Sequence, residues 1–277
     1  MCLWLGGLAF GVAAIFFVAY NWLELGRFAK FAMVEVLMVA GVMAYWQFSD
    51  HKIIGPLSLF VSTLFLGALM ALYGQTYQTG ADPWQLFFNW ALLMLPWAFV
   101  ARSSALWIVW LSLLNLSIVL YYQTFRGLFG VLFSSEELIF WIVFALNTVA
   151  LLLWEVCARS WVWLQTRWAP RLLAVGSGLA MTWLCFIGIF DSVSSATGFA
   201  WLIWMGGFYF IYRKIKPDLF MLAGLCLSGI VVVVAFWSKH ILSDADVGGF
   251  LLLALIVLGL GTGAAVWLKR VNEALQS

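Results

Sequence analysis

One dense polar run, Tyr73-Gly74-Gln75-Thr76-Tyr77-Gln78-Thr79-Gly80-Ala81-Asp82-Pro83-Trp84-Gln85, interrupts a sequence that is 65% hydrophobic and 9% charged. Polar groups are costly to place in so apolar a chain, so their concentration at one junction marks the first place to look for binding chemistry. If Tyr73–Gln78 continues the preceding helix, Gln75 and Gln78 lie on one face with Tyr77 at its edge. Their amides and hydroxyl supply donors and acceptors that would line a small polar cavity. Beyond the run's centre, Asp82-Pro83-Trp84-Gln85 reads as a helix start. Asp82 serves as N-cap, Pro83 takes the first helical position and Gln85 closes a capping box. Backbone N–H groups at such a start favour anions, and Asn89 extends the polar stripe along the new helix. A turn by itself accounts for Gly74, Gly80, Asp82 and Pro83. It does not account for Gln75, Tyr77 and Gln78.

Two carboxylates fall within apolar stretches, Glu35 and Glu155. Glu155 has Arg159 one turn later and reads as half of a structural ion pair. Glu35 is the better functional candidate, because an ionisable group at membrane depth marks a site by default. In the segment Asn21–Lys30, Glu24 can pair with Arg27 while Lys30 reaches toward the interface. The sharper alternative is that Arg27 and Lys30 help hold an anionic ligand or headgroup. Asn115 and Asn147 sit mid-span, where such residues more often join helices than bind substrates.

No catalytic constellation is visible, so enzyme chemistry is not expected. His51 and His240 are far apart, Cys2, Cys157, Cys185 and Cys226 have no metal-like spacing, and no nucleophile elbow or phosphate loop occurs. No metal and no cofactor is expected. A net charge of +2 is too small to imply nucleic acid, and no basic tract exists to carry phosphate contacts, so no nucleic-acid partner is expected. Ser194-Ser195 after Asp191 reads as ordinary turn chemistry.

The elements that position these residues follow from the apolar runs. With mean hydropathy +1.04 and repeated apolar runs near 20 residues, the solvent must be a bilayer. The runs are continuous rather than alternating, which gives an all-α bundle. Ten spans are expected at roughly 3–20, 31–46, 57–73, 84–100, 105–122, 138–156, 172–190, 199–212, 219–236 and 249–268. They form a single integral membrane domain over 1–277, with membrane lipids as its surroundings. Residues 125–133 are too short to cross and read as an interfacial or re-entrant piece. Placing the amino terminus in the cytoplasm puts ten basic residues inside and only Arg27, Lys30, Arg126 and Lys239 outside. The positive-inside rule therefore predicts both termini cytoplasmic. Arg159–Trp168 mixes arginine and tryptophan as an interfacial helix would, and Arg213-Lys214-Ile215-Lys216 reads as an anchor before Pro217.

Phe17-Val18-Ala19-Tyr20-Asn21-Trp22, Arg27-Phe28-Ala29-Lys30 and above all Gly74–Phe87 resemble the bacterial predicted-membrane-protein family called domain of unknown function 2157. The resemblance covers about the first hundred residues. It implies a bacterial inner-membrane setting and brings no established activity with it. Members often begin with a short soluble segment before the first span, whereas this sequence opens almost at once on the apolar run with Met1-Cys2-Leu3-Trp4. The two resembling segments are separated by two spans and so should emerge on one face. The expected site on that outer face comprises Gln75, Tyr77, Gln78, Asp82, Gln85, Glu35, Asn89, Arg27 and Lys30. The leading expectation is a carrier or flippase-like protein for a small or lipid-linked molecule. The competing one is a non-transporting scaffold or envelope sensor that binds a protein partner.

Overall fold

Backbone groups in hydrocarbon have no water to bond, so long apolar runs must close their hydrogen bonds internally. A computed structural model describes residues 2–20, 26–129, 137–190, 196–241 and 247–276. Among these residues all regular structure is helical: α1 (Cys2–Tyr20), α2 (Arg27–Gln47), α3 (Ile54–Tyr77), α4 (Pro83–Ala101), α5 (Ser104–Phe129), α6 (Glu137–Cys157), α7 (Trp168–Phe190), α8 (Ala196–Phe210), α9 (Leu219–Ile241) and α10 (Val247–Gln276). Each expected span falls on one of these helices. Eight are long and apolar enough to cross a bilayer, and α1 carries a shorter apolar stretch, Leu3–Ala14. The 15 residues of α8 reach only about 22 Å. A π-helical turn, Ile211–Ile215, continues it.

Two expectations are corrected. Residues 159–168 do not form an interfacial helix but a 3-10 turn, Val162–Leu164, entered through extended Trp161. Tertiary contacts override the local pattern there: Ser104 Oγ donates to the Trp163 carbonyl at 2.9 Å, and Leu164 is buried. The piece expected at 125–133 is, as far as Phe129, a continuation of α5 past non-helical dihedrals at Phe125. Residues 130–136 lie outside the described residues, as do Asn21–Leu25 with the expected Glu24–Arg27 pair, and the Asp191–Ser195 turn.

The chain forms two compact units. The first comprises Met1–Ser134 and Ala158–Ala169, and the second Ser135–Cys157 and Pro170–Ser277. In the first unit α3 is the hub, packing on α1, α2 and α4. Leu59, Leu66, Met94, Ala98 and Leu106 are nearly inaccessible at its centre. Two glycines permit the close approaches. A Cβ on Gly41 would lie 2.2 Å from Ser62 Oγ, and one on Gly67 would lie 2.4 Å from the Trp90 ring. Ser62 Oγ donates to the Met38 carbonyl at 3.1 Å, Ser117 Oγ to that of Trp84 at 3.2 Å, and Tyr45 to that of Val100 at 3.1 Å.

In the second unit α9 packs on α8 and α10. Ala174, Ser177, Ala180 and Met181 of α7 are buried. Asn147 lies against Gly176 while its Nδ2 donates within α6 to the Val143 carbonyl at 2.8 Å, and Thr148 shares a 2.7 Å hydrogen bond with Ser177. Glu155 does form a structural ion pair, but its partner is Lys216, not Arg159. Lys216 Nζ also donates to the Glu155 carbonyl at 2.9 Å, and Tyr212 donates to Oε1 at 3.3 Å. The π-helical turn after α8 delivers both partners to the end of α6. Although α10 packs on α9, none of its hydrophobic window is fully buried.

Candidate functional site

The polar run adopts a tight turn between α3 and α4. Helix α3 extends through Gln75 and Tyr77, but Gln78 is its left-handed C-cap (φ 44°, ψ 49°), with its N–H bonded to the Gly74 carbonyl. Gln75 and Gln78 therefore do not share a helical face, because the chain reverses at Gln78. Gly80 follows with φ 63°, and Thr79 N–H also reaches the Gly74 carbonyl, at 3.4 Å. Asp82 occupies the N-cap position with extended backbone, and Pro83 begins α4 as expected. Its carboxylate makes no capping bond, so the capping box is not formed. The N–H of Gln85 that it would have capped instead bonds the Asp82 carbonyl at 3.0 Å.

Gln75, Tyr77, Gln78 and Asn89 are exposed, while Asp82 and Gln85 are half-buried. Tyr77 packs on Tyr73 (4.9 Å between centroids) and on Phe31 of α2 (6.1 Å). That contact brings the first turn of α2, with Arg27 and Lys30, to the same end of the unit as the run, as the topology required. The two cations differ there. Arg27 is exposed with its guanidinium 5.0 Å from the Phe28 ring, whereas Lys30 is buried. Glu35 is exposed on α2, and no described contact joins it to the run. Asn89 likewise faces outward from α4.

A different arrangement occurs in the second unit, where sequence reading placed no site. A groove of about 330 Å³ lies between α7, α8 and α9. Leu179, Trp183, Phe186, Trp204, Phe208 and Met221 supply much of its wall, and Thr182 and Ser228 are its polar points. Those hydroxyls are 2.7 Å apart, and Trp201 Nε1 donates to Ser228 Oγ at 3.0 Å. One layer away, Trp204 Nε1 donates to Ser177 Oγ at 3.2 Å. A Cβ on Gly224 would meet no atom within 4 Å, so this glycine opens onto free space. A further apolar groove of about 460 Å³ passes Trp201 between Cys185, Phe199, Val232 and Phe236.

Beside Phe220 of the groove wall, Arg171 forms a two-pronged ion pair with Asp218, both contacts at 3.2 Å. The Asp218 side chain is 3% exposed and that of Arg171 is 41% exposed. Asp218 Oδ1 also accepts the N–H of Phe220 at 3.0 Å, a true N-cap for α9, and Arg171 lies 5.5 Å from the Phe220 ring. The groove thus offers an apolar, aromatic wall and two hydroxyls that already satisfy each other, with a fixed charge pair behind Phe220. It contains no nucleophile–base pair. Among the described residues no cluster of three His, Cys, Asp or Glu could hold a metal, and Cys157, Cys185 and Cys226 are free thiols.

Residues 1–107 match a family model described as "Predicted membrane protein (DUF2157)". The match takes in α1–α4, the polar run and the start of α5, and ends before the second unit. No curated protein and no solved structure matches the chain. It is a membrane protein with multiple apolar helices.

Proposed function

We propose that this protein is a carrier or flippase-like, non-enzymatic handler of a lipid-linked molecule in the bacterial inner membrane. The observation that carries the reading is the groove between α7, α8 and α9, which suits an apolar tail better than a hydrated solute. Two five-helix units accord with the five-plus-five construction common among secondary transporters. The distribution of basic residues supports a cytoplasmic position for both termini, and a reporter fused after Ser277 should then be active there.

The test uses the open space at Gly224. Wild-type protein in proteoliposomes should move a fluorescent lipid between leaflets, and Gly224→Leu should abolish this while folding normally. Wild-type translocation equal to that of protein-free liposomes would end the carrier reading.

Specific observations favour a second reading, a scaffold or envelope sensor with a protein partner. Tyr73 and Tyr77 are 54% and 52% exposed, and Glu35 has no partner among the described residues. Surfaces of that kind mark contact sites. A photoreactive group at Tyr77 should then crosslink one discrete protein in cells, and crosslinks only to lipid would exclude the reading.

A further inference from the structure

A cavity of about 550 Å³ lies in the first unit, where the segment 158–169 meets the junction of α4 and α5. Phe99, Trp107, Trp161 and Trp163 wall it, with Arg102 and Ser160 among its lining. The cavity is held in shape by a tether, since Ser104 Oγ bonds both the Trp163 carbonyl and Thr166 Oγ1 at 2.9 Å. Its rings are ordered against one another. Trp161 and Trp163 stack at 5.9 Å and 14°, and Trp107 meets Phe99 edge-on at 4.9 Å.

Two unmet needs lie among its lining residues. Trp107 Nε1 is buried with no hydrogen-bond partner, a state that an acceptor oxygen would relieve. Arg102 is exposed, held in a left-handed conformation (φ 46°), and has no ion-pair partner among the described residues. Arg102, Arg159 and Arg167 are the charged residues of 101–104 and 158–169, so neither segment brings an acid to compete for an anion. Tryptophan rings beside a cation at the end of membrane helices suit the glycerol region of a lipid.

We infer that this cavity binds the headgroup and glycerol backbone of one anionic phospholipid. The phosphodiester sits against Arg102 and accepts from Trp107 Nε1 once that ring turns toward the cavity, while the acyl chains leave past Trp161 and Trp163. A quaternary ammonium ligand would be repelled by Arg102, and a soluble phosphate ester would leave the rings unused. The site is independent of the groove in the second unit and stands whether or not the protein moves lipid.

The experiment is native mass spectrometry of the protein released from nanodiscs of equal phosphatidylglycerol and phosphatidylcholine. Wild type should retain one phosphatidylglycerol in preference to phosphatidylcholine, and Arg102→Asn should lower that retention about tenfold. Asparagine tolerates the left-handed backbone, so the C-cap survives the change. Trp107→Phe keeps a ring and loses the donor, and should lower retention about threefold. Should Arg102→Asn fail to fold, Trp107→Phe carries the test. Arg270→Gln, a charge removed from exposed α10, should change nothing. Equal retention of both lipids, equal losses in Arg102→Asn and Arg270→Gln, or displacement by millimolar glycerol phosphate would each overturn the proposal.

Discussion

The two five-helix units are held together by different means. In the first, helices approach where side chains are missing, Gly41 beside Ser62 and Gly67 beside the Trp90 ring, and hydroxyls bond mostly to backbone carbonyls. In the second, side chains reach across helices to each other: Thr148 to Ser177, Thr182 to Ser228, Arg171 to Asp218 and Lys216 to Glu155. Two helix starts show the same contrast. Asp82 stands before α4 and caps nothing, whereas Asp218 caps α9 and also anchors Arg171. Lipid gives helices no hydrophobic push toward one another, so association rests on packing or on polar links. Packing at glycine closes space, while a polar link of fixed length sets a spacing and leaves room beside it. The groove of α7–α9 lies among such links. The first unit's own cavity likewise lies where a hydroxyl pair, Ser104 with Thr166, spans the gap.

Asp218→Ala probes the contrast most strongly. It removes a buried charge, a cap and the partner of Arg171, and should lower the unfolding free energy in detergent by about 2–3 kcal/mol. The half-exposed Arg171 keeps the loss below that of a wholly buried pair. An unchanged unfolding midpoint would mean that polar links do not hold the second unit. Gly67→Ala tests the opposite means in the first unit. The new methyl must displace the Trp90 ring, at about 1–3 kcal/mol of stability. A silent substitution would show the α3–α4 contact to be loose.

Ser177→Ala should have a smaller effect, about 0.6–1.7 kcal/mol, from the lost bonds to Thr148 and Trp204. Repeating it on Thr148→Val should show non-additivity, and strictly additive losses would remove the link from consideration. The least effect is expected at Asp82→Asn, within about 0.5 kcal/mol of wild type, because the carboxylate caps no N–H. A clear loss of function in a stable Asp82→Asn protein would restore that charge to a binding role.

The helices were legible because each apolar run is long and bounded by polar or glycine-containing junctions. α8 was legible as a helix, though only its pairing with the π-helical turn explains how so short an element is completed. The polar run was legible as a junction, and Asp82 and Pro83 fell at the expected positions. Its side-chain roles were not legible, because they depend on where the chain turns, and one left-handed residue at Gln78 splits the glutamines. The groove was the least legible feature. Thr182 and Ser228 look like isolated hydroxyls in apolar helices, and what joins them is a contact 46 residues apart in sequence. Pro217-Asp218 ahead of an apolar run was the available signal, a helix start of the kind read at Asp82.

The segment 158–169 follows α6 in sequence, yet it completes the first unit by docking at Ser104. During synthesis the first five helices emerge without it, and the aromatic wall of Trp161 and Trp163 can be added only after α6 has been made. The two units consequently cannot mature in strict succession. A chain halted at Ser134 would carry all the helices of its first unit and still leave that unit unfinished.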